Sequence, residues 1–139
     1  MIQTAKNSSS KNTLGKSYKL CHQRVIEGLY EKDAQKNKQF PFAVQFMLTE
    51  LSSNSPFQIV LSAPKRRFRD ANQRNRIKRL MRECVRLQKH DLENYLIANN
   101  KQLALFLVYI DNQEQTIEFL EKKTKQLFSK IITQLHETN

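Results

Sequence analysis

Apolar residues recur along the first half of the chain at helical and then at strand-like spacing. Between Tyr18 and Lys32 they repeat every four positions, which predicts a short first helix. The stretch QFPFAVQFML, residues 39–48, is rich in aromatic residues and roughly alternating, so it predicts a strand. FQIVLSA, residues 57–63, predicts a second strand after the turn signal SSNSP. We expect these two strands to form an antiparallel pair.

Two further elements are predicted near the end of the chain. The run QLALFLVYI, residues 102–110, is continuously apolar, as expected of a central strand that is covered on both faces in a mixed or parallel sheet. Thr116 can then cap a closing helix. One face of this helix is formed by Ile117, Leu120, Thr124, Leu127, Phe128, Ile131 and Leu135. Together these elements predict an α/β domain.

A strongly basic segment, RNRIKRLMRECVR, occupies residues 74–86 and also has helical periodicity. On a helical wheel its apolar positions form one stripe that would pack on the sheet, namely Ile77, Leu80, Met81, Cys84 and Leu87. The opposite side holds Asn75, Arg79, Arg82 and Arg86, with Arg76 and Lys78 near its borders and Arg74 in the first turn. The preceding loop adds Lys65, Arg66, Arg67 and Arg69. Charge and core are therefore separated on this helix.

The overall charge favours a polyanionic partner. The chain of 139 residues has 24 lysine and arginine residues against 13 acidic ones, a formal charge of +11. A basic helix face is ordinarily a solvated surface with acidic partners, but residues 74–86 contain a single acid, Glu83. Arginine also forms paired hydrogen bonds with phosphate, whereas lysine acts as a point charge. Nucleic acid is the expected partner, and an anionic membrane surface is the second candidate.

Composition and spacing limit the other possibilities. With 39% apolar residues the chain suits one compact domain, predicted over residues 18–136 after a flexible basic arm at 1–17. No apolar run is long enough to span a membrane and the amino terminus lacks a signal core, so we expect a cytoplasmic protein. Cys21 and Cys84 lack metal-ligand spacing and are expected to be reduced core thiols. The sequence contains no recognisable catalytic or metal-binding motif.

The motif RNRIKRLMRE, preceded by PKRRF and a predicted strand, resembles the signature of the bacterial ribonuclease P protein family. The resemblance extends from about Leu14 to Leu135 and is strongest from Ser62 to Leu87. It implies a single-domain α/β sandwich with a mixed four-stranded sheet, packed by about three helices. It also implies that the motif helix lies in a left-handed βαβ crossover, whereas general chirality rules favour a right-handed one.

The resemblance implies an endoribonuclease subunit that has no catalytic site of its own. In the family the protein binds a large catalytic RNA, and the RNA with Mg²⁺ removes the 5′ leader of precursor tRNA. The implied partners are therefore ribonuclease P RNA and precursor tRNA, with Mg²⁺ held mainly by the RNA, no cofactor intrinsic to the protein and no obligate protein partner. The alternative is a general or ribosomal RNA-binding or chaperone protein that uses the same basic helix.

Two binding surfaces are also implied by the resemblance. The surface for the catalytic RNA would comprise Arg74, Asn75, Arg76, Lys78, Arg79, Arg82 and Arg86, extended toward the substrate by Lys65, Arg66 and Arg67. A cleft between the first helix and the sheet would hold the single-stranded leader on Ile26, Tyr30, Phe40 and Phe42. Bases stack on aromatic rings regardless of sequence, but plain core packing is an equal alternative for these four residues. The chain departs from the family pattern at Arg69 and Asn72, just before the motif, and at Ile26, where an aromatic residue is common.

Overall fold

The computed structural model describes residues 14–20, 23–29, 34–51 and 53–137. The helices in this part of the chain are α1 (Gln23–Gly28), α2 (Ala71–Gln88), α3 (His90–Ala98) and α4 (Ile117–Glu137), and a 3₁₀ turn covers Lys16–Tyr18. The strands are β1 (Gln35–Gln39), β2 (Phe42–Leu48), β3 (Phe57–Ser62) and β4 (Leu103–Tyr109). The last three helices have nine residues or more and the first has six, so the predicted α/β architecture with about three main helices is confirmed.

The four strands form one mixed sheet in the order β1-β2-β4-β3. β2 pairs with β1 and with β4 in antiparallel fashion, and β3 pairs with β4 in parallel fashion. The prediction that residues 102–110 supply a central strand is confirmed. The predicted direct pairing of β2 with β3 is wrong, because β4 lies between them. A strand that is apolar on both faces gains most from a central position, where both faces are removed from water.

Two elements have no clear signal in the sequence. β1 reads QKNKQ, and its residues alternate between half-buried and exposed at the sheet edge. It forms because its five residues pair in register with residues 42–46 of β2. The second unpredicted element, α3, is only nine residues long and buries Leu92 and Leu96. Together α2 and α3 form the crossover that connects the parallel strands β3 and β4.

The main core lies between one face of the sheet and helices α2, α3 and α4. Alternate residues of β2 and β4 face this core, among them the paired residues Phe46 and Leu105. Helix α2 contributes Ile77, Met81, Cys84 and Val85. The prediction that Leu87 belongs to the buried stripe is wrong, since 38% of it is exposed. Val85 completes the stripe instead, because it follows Met81 by four residues and therefore lies on the same side of the helix.

Helix α4 begins where the sequence predicts. The hydroxyl oxygen of Thr116 accepts the backbone N–H of Phe119 at 3.3 Å, which is an N-cap contact. The predicted apolar face is buried from Leu120 to Leu135. Within it, the buried Thr124 hydroxyl donates to the Leu120 carbonyl at 2.8 Å, so this polar group has a partner inside the core.

The amino-terminal segment is not helical where a helix is predicted. The backbone N–H of Leu20 donates to the Ile59 carbonyl at 3.2 Å, so the residues before α1 lie along the outer edge of β3. The helix itself starts at Gln23, five residues later than predicted. It packs on the second face of the sheet, where Leu29 and Ala104 belong to a smaller buried cluster. The N–H of Leu20 is satisfied by β3 rather than by a helical carbonyl, which favours an extended backbone before α1.

Some predictions fall on residues outside the described ranges. These are Cys21, Tyr30 and the first thirteen residues of the predicted arm at 1–17. The last part of that stretch is described, and there Leu14 is buried in the main core. Cys84 is a buried free thiol, as predicted. No helix in the described ranges is both long enough and apolar enough to cross a membrane.

Candidate nucleic-acid interface

Helix α2 has a well-ordered beginning. Asp70 precedes it, and the Asp70 carboxylate accepts the backbone N–H of Asn72 at 2.9 Å. Nη1 of Arg74 donates to the carbonyls of Phe68 and Arg69 at 2.9 and 2.8 Å. The Arg74 guanidinium therefore ties the first turn of the helix to the loop before it. The side chains of Arg69 and Asn72, two of the three departures from the family pattern, are exposed.

One side of α2 presents polar side chains to solvent, as the helical wheel predicts. This set, which we name the basic strip, consists of Asn75, Lys78, Arg79 and Arg82. All four side chains are exposed and line the same groove. Within the described ranges, none of the three cations forms an ion pair. The strip therefore concentrates uncompensated positive charge on one surface.

The loop before α2 contributes a second, smaller group of cations. Lys65 and Arg66 are exposed in the turn at 65–67. Arg67 is half-buried, and its Nη1 donates to the Asn112 side-chain oxygen at 2.9 Å. The structure thus places Lys65 and Arg66 on the surface beside the start of α2, whereas Arg67 links this loop to the connection between β4 and α4.

Two motif arginines have acidic partners, although the sequence predicts none. Arg76 makes a paired contact with Glu114, the shortest distance being 2.9 Å, and this hydrogen bonding holds the pKa of the Glu114 carboxyl below its ordinary value. Arg86 pairs with Glu83 on the same helix and lowers the pKa of that carboxyl through the same cause. These pairs compensate the charge of Arg76 and Arg86, whereas the cations of the basic strip form no ion pair within the described ranges. They leave the strip as the most cationic part of α2.

Residues 14–20, which we name the strap, run beside the basic strip. Nη2 of Arg82 donates to the Leu14 carbonyl at 2.8 Å. The Ser17 carbonyl accepts the side-chain amide of Gln58 at 3.0 Å. With the Leu20 contact to β3 described above, the strap is held at its beginning, middle and end. It therefore forms a fixed wall opposite the basic strip.

A buried polar cluster anchors the same segment. The Tyr18 hydroxyl donates to the Glu93 carboxylate and accepts from the ammonium of Lys89 at 3.2 Å. Lys89 is fully buried and also donates to Glu93 at 3.1 Å. Each polar group in the cluster has a partner, as a buried charge requires. Local spacing gives no signal for this cluster, because Tyr18 and Glu93 are 75 positions apart.

The residues predicted to hold a leader do not share one surface. Ile26 is half-buried in the cluster beneath α1. Phe40 is 52% exposed in the turn between β1 and β2. Phe42 is buried in the main core, where its ring lies 5.9 Å from that of Tyr109, on the opposite face of the sheet from Ile26. The core-packing alternative therefore holds for Phe42, and Tyr30 lies outside the described residues.

Within the part of the chain that the structure describes, the second face of the sheet is only partly covered beyond α1, and we name this part the open face. Here Ala43 and Gln45 of β2 are paired with Val108 and Phe106 of β4. On the other side of β2, Lys36 of β1 is paired with Gln45. A shallow pocket of about 410 Å³ includes Lys36 and Gln45 in its lining. The alternation of β2 indicates this surface, since the residues between the buried aromatic positions must face the other way. The sequence does not predict the contribution of β1, because its lysines join this face only when β1 pairs with β2.

Comparison with known proteins decides the family. The family model described as Ribonuclease P matches residues 14–132 of this chain. The chain belongs to the Ribonuclease P family. The match covers the basic strip, the strap and all four strands, so each surface described above lies within the matched residues.

Relatives within the Ribonuclease P family share substantial identity with part of the chain. The ribonuclease P protein component of Pseudoalteromonas translucida is 42% identical over 71 residues, which is 51% of this chain and 46% of that protein. The corresponding component of Porphyromonas gingivalis is 40% identical over 92 residues, or 66% of this chain and 67% of that protein. The matched segment thus spans less than half of the first relative and about two thirds of the second.

Solved structures confirm the Ribonuclease P fold. The protein from Thermotoga maritima superposes with a TM-score of 0.64 at 15% identity, covering 81% of this chain and 96% of that one. The protein from Staphylococcus aureus gives a TM-score of 0.59 at 16% identity, covering 81% of this chain and 93% of that one. At this identity the likeness concerns the fold, including the mixed sheet that places β4 between β2 and β3.

Proposed function

We propose that this chain is the protein component of a ribonuclease P, which binds the catalytic RNA and the 5′ leader of precursor tRNA. The observation that carries the proposal is the basic strip, an exposed and uncompensated cationic surface in a chain of this family. The protein would act in the cytoplasm as one subunit of an endoribonuclease. Removal of the leader would give the mature 5′ end of the tRNA.

The catalytic RNA would dock on the basic strip. Arg79 can direct two N–H groups at phosphate oxygens, Arg82 can offer the N–H groups that its bond to the Leu14 carbonyl leaves, and Lys78 adds a point charge beside them. Lys65 and Arg66 extend the same positive surface beyond the start of α2. A smaller part in RNA binding is assigned to Arg74, Arg76 and Arg86, because their side chains already contact loop carbonyls or carboxylates.

The single-stranded leader would lie on the open face of the sheet. Ala43 and Val108 line the shallow pocket on this face and give an apolar floor on which a base can pack. Lys36 and Lys38 are exposed at the edge of this face, where they can meet the leader's phosphates. Stacking and charge contacts of this kind tolerate any base sequence, which suits an enzyme with many precursor substrates.

The chemistry would belong to the RNA and its Mg²⁺ ions, which activate the attacking water and stabilise the developing charge at the phosphate. The described residues contain no group of three or more His, Cys, Asp or Glu side chains placed to hold a metal ion. The protein's own contribution would be binding. Its cations reduce repulsion between two RNAs, and its grip on the leader favours precursor over mature tRNA.

Cleavage of labelled precursor tRNA tests the proposal. The catalytic RNA from the same organism is assayed at low Mg²⁺ with and without this protein. We expect the protein to restore cleavage at the mature 5′ end, because its cations replace part of the charge screening that Mg²⁺ otherwise supplies. Broad RNA binding without stimulation would instead support the general RNA-binding or chaperone alternative.

A further inference from the structure

A groove separates the strap from the basic strip. It has a volume of about 550 Å³ and runs along the outer edge of β3. The strap is tied on both sides of it, through Arg82 to the Leu14 carbonyl and through Leu20 to Ile59. Tyr18 fixes the segment between these two ties in the buried cluster with Lys89. The groove is therefore a preformed feature with walls held by hydrogen bonds.

The two walls of the groove differ in chemistry. Leu20, Val60 and Leu61 give an apolar wall on the side of the strap and β3. On the other wall lie the exposed Asn75 amide and the cations of the basic strip. None of the described residues that line the groove is acidic. A ligand that fits must present a flat or apolar body to one wall and negative charge to the other.

A nucleotide has this combination of features. Its base is a flat body with hydrogen-bonding edges, and its phosphate is anionic. The groove volume lies within the range of small-ligand sites and is sufficient for one base with its sugar. The Asn75 amide offers both a donor and an acceptor, which is the pattern that base edges present. A base inside a continuous duplex is stacked and paired, so only an unpaired base could enter.

We infer that the groove receives one unpaired nucleobase of the bound RNA, with Asn75 at the edge of the base and Lys78 and Arg79 at the adjoining phosphates. The inference rests on the proposed RNA-binding function of α2 and makes it more specific. The basic strip then recognises an irregularity in the RNA as well as its charge. Regular duplex RNA would contact the cationic wall through its phosphates but would make no contact with the apolar wall.

Gly15 provides a sharp test of this site. It lines the groove, and a Cβ atom built on it would meet no atom within 4 Å, so a side chain can start from this position without a clash at its first atom. Gly15→Phe would fill the space that the base needs. Ser17→Phe is the matched control, since Ser17 is exposed on the same strap but does not line the groove.

Binding of the full chain is measured against three short RNA hairpins. One has a fully paired stem, one has a single bulged adenosine, and one has an abasic site at the same bulge. We expect the wild-type protein to prefer the bulged adenosine over the abasic bulge by about fivefold, the low end of what a base gains on a protein surface. Gly15→Phe should lose this preference while it keeps its affinity for the paired stem, and Ser17→Phe should keep both.

Equal affinity of the wild-type protein for the adenosine and abasic bulges would overturn the inference. So would a preference that survives in Gly15→Phe. If Gly15→Phe lowered thermal stability but left RNA binding unchanged, the groove would be filled by other residues of this chain, and the inference would also be overturned. Failure of the wild-type protein to bind even the paired stem would count against the proposed function of α2, a result distinguishable from the loss of the bulge preference alone.

Discussion

Arg79 is the residue whose removal tests the basic strip most directly. It is exposed and makes no ion pair within the described ranges, so Arg79→Ala removes charge without loosening the fold. We expect weaker binding to the catalytic RNA and a salt dependence shallower by about 0.7–0.9 in the logarithmic slope, because one fewer counterion is released. The measurement is a filter-binding series over a range of salt concentrations.

Lys122→Ala is the matched control for Arg79→Ala. Lys122 is an exposed cation on α4, away from the groove. The variant has the same change in net charge, so a purely non-specific attraction would respond equally to both substitutions. An identical salt slope in the two variants would contradict the assigned role of the strip.

Cys84 tests the packing beneath that strip. Burial raises the pKa of its thiol from 9.0 to about 12, so the reactive thiolate is scarce in the folded protein near neutral pH. In a Cys21→Ser background, we expect alkylation of Cys84 to proceed only as fast as the protein unfolds. The label is followed by mass spectrometry with increasing sub-denaturing urea. Labelling at the rate of a short cysteine peptide would show that α2 is not packed on the sheet.

The same pKa shift predicts how stability changes at high pH. A thiol whose pKa is raised by folding contributes stability below its unfolded value, and the contribution is lost as pH rises. The free energy of unfolding should therefore fall as the pH rises from 9.0 to about 12, the unfolded and folded pKa values of this thiol.

Sequence periodicity predicts the positions of residues along one helix much better than their partners elsewhere. The helical wheel places Asn75, Lys78 and Arg79 together because their separation is fixed by the turn of the helix. It gives no information on the Arg76 contact to Glu114, which is 38 positions away. Charge compensation by distant residues depends on the fold, which is why the partner of Arg76 was not predicted. The partner of Arg86, Glu83, is three positions away on the same helix, and this spacing could have indicated the pair.

At the scale of single elements, the beginning of α2 sets the direction in which the basic strip points. Asp70 supplies the cap contact to Asn72, so Asp70→Ala should lower the free energy of unfolding by about 1 kcal/mol. Asp70→Asn should retain most of this stability, since the amide oxygen can accept the same bond. Chemical denaturation of the three proteins gives the comparison. Equal losses in both variants would mean that the charge of Asp70 matters rather than its cap.

Strand β1 is the element through which the leader proposal is tested. Lys36 and Lys38 are exposed on the open face of the sheet. In Lys36→Ala/Lys38→Ala, the affinity for precursor tRNA should fall while that for mature tRNA is nearly unchanged. The logarithmic slope of precursor affinity against salt concentration should become shallower by about 1.4, because two phosphate contacts to a single strand are lost.

A double variant on α4 serves as the comparison for β1. Lys122→Ala/Lys125→Ala changes net charge equally at exposed positions of the last helix. Holoenzymes reconstituted with each protein are titrated with precursor and mature tRNA. A loss that is the same for both tRNAs, or the same for both double variants, would remove β1 from the leader site.

The elements that the sequence does not predict are those whose stability comes from neighbours. β1 has five polar residues and no apolar alternation, so its formation depends on pairing with β2 and on contacts from α4, such as the 2.9 Å bond between Asn37 and Gln134. Long apolar runs such as residues 102–110 are visible from the sequence because burial alone decides them. Edge strands and short helices lack that signal.

The whole molecule has a charge of +11, which opposes compaction in the absence of anions. A polyanion that binds only the folded state should therefore raise the melting temperature. At a hundredfold excess over its dissociation constant the gain is about 2.7 kcal/mol, or roughly 5–10 °C. Dextran sulfate is the probe and uncharged dextran the control, followed by circular dichroism. The same shift with both polymers would assign the effect to crowding rather than charge.

Strand β4 joins the two outer parts of the sheet but is synthesised after β1, β2 and β3. Until residues 103–109 leave the ribosome, β2 and β3 have no common neighbour, because they do not pair with each other. Closing the parallel pair also requires the long connection through α2 and α3, which makes this step slow relative to local contacts. A nascent chain that ends before Leu103 therefore exposes the apolar side of α2 together with its cationic side. Completion of β4 is therefore the event that buries the apolar side of α2 and leaves its cationic side exposed.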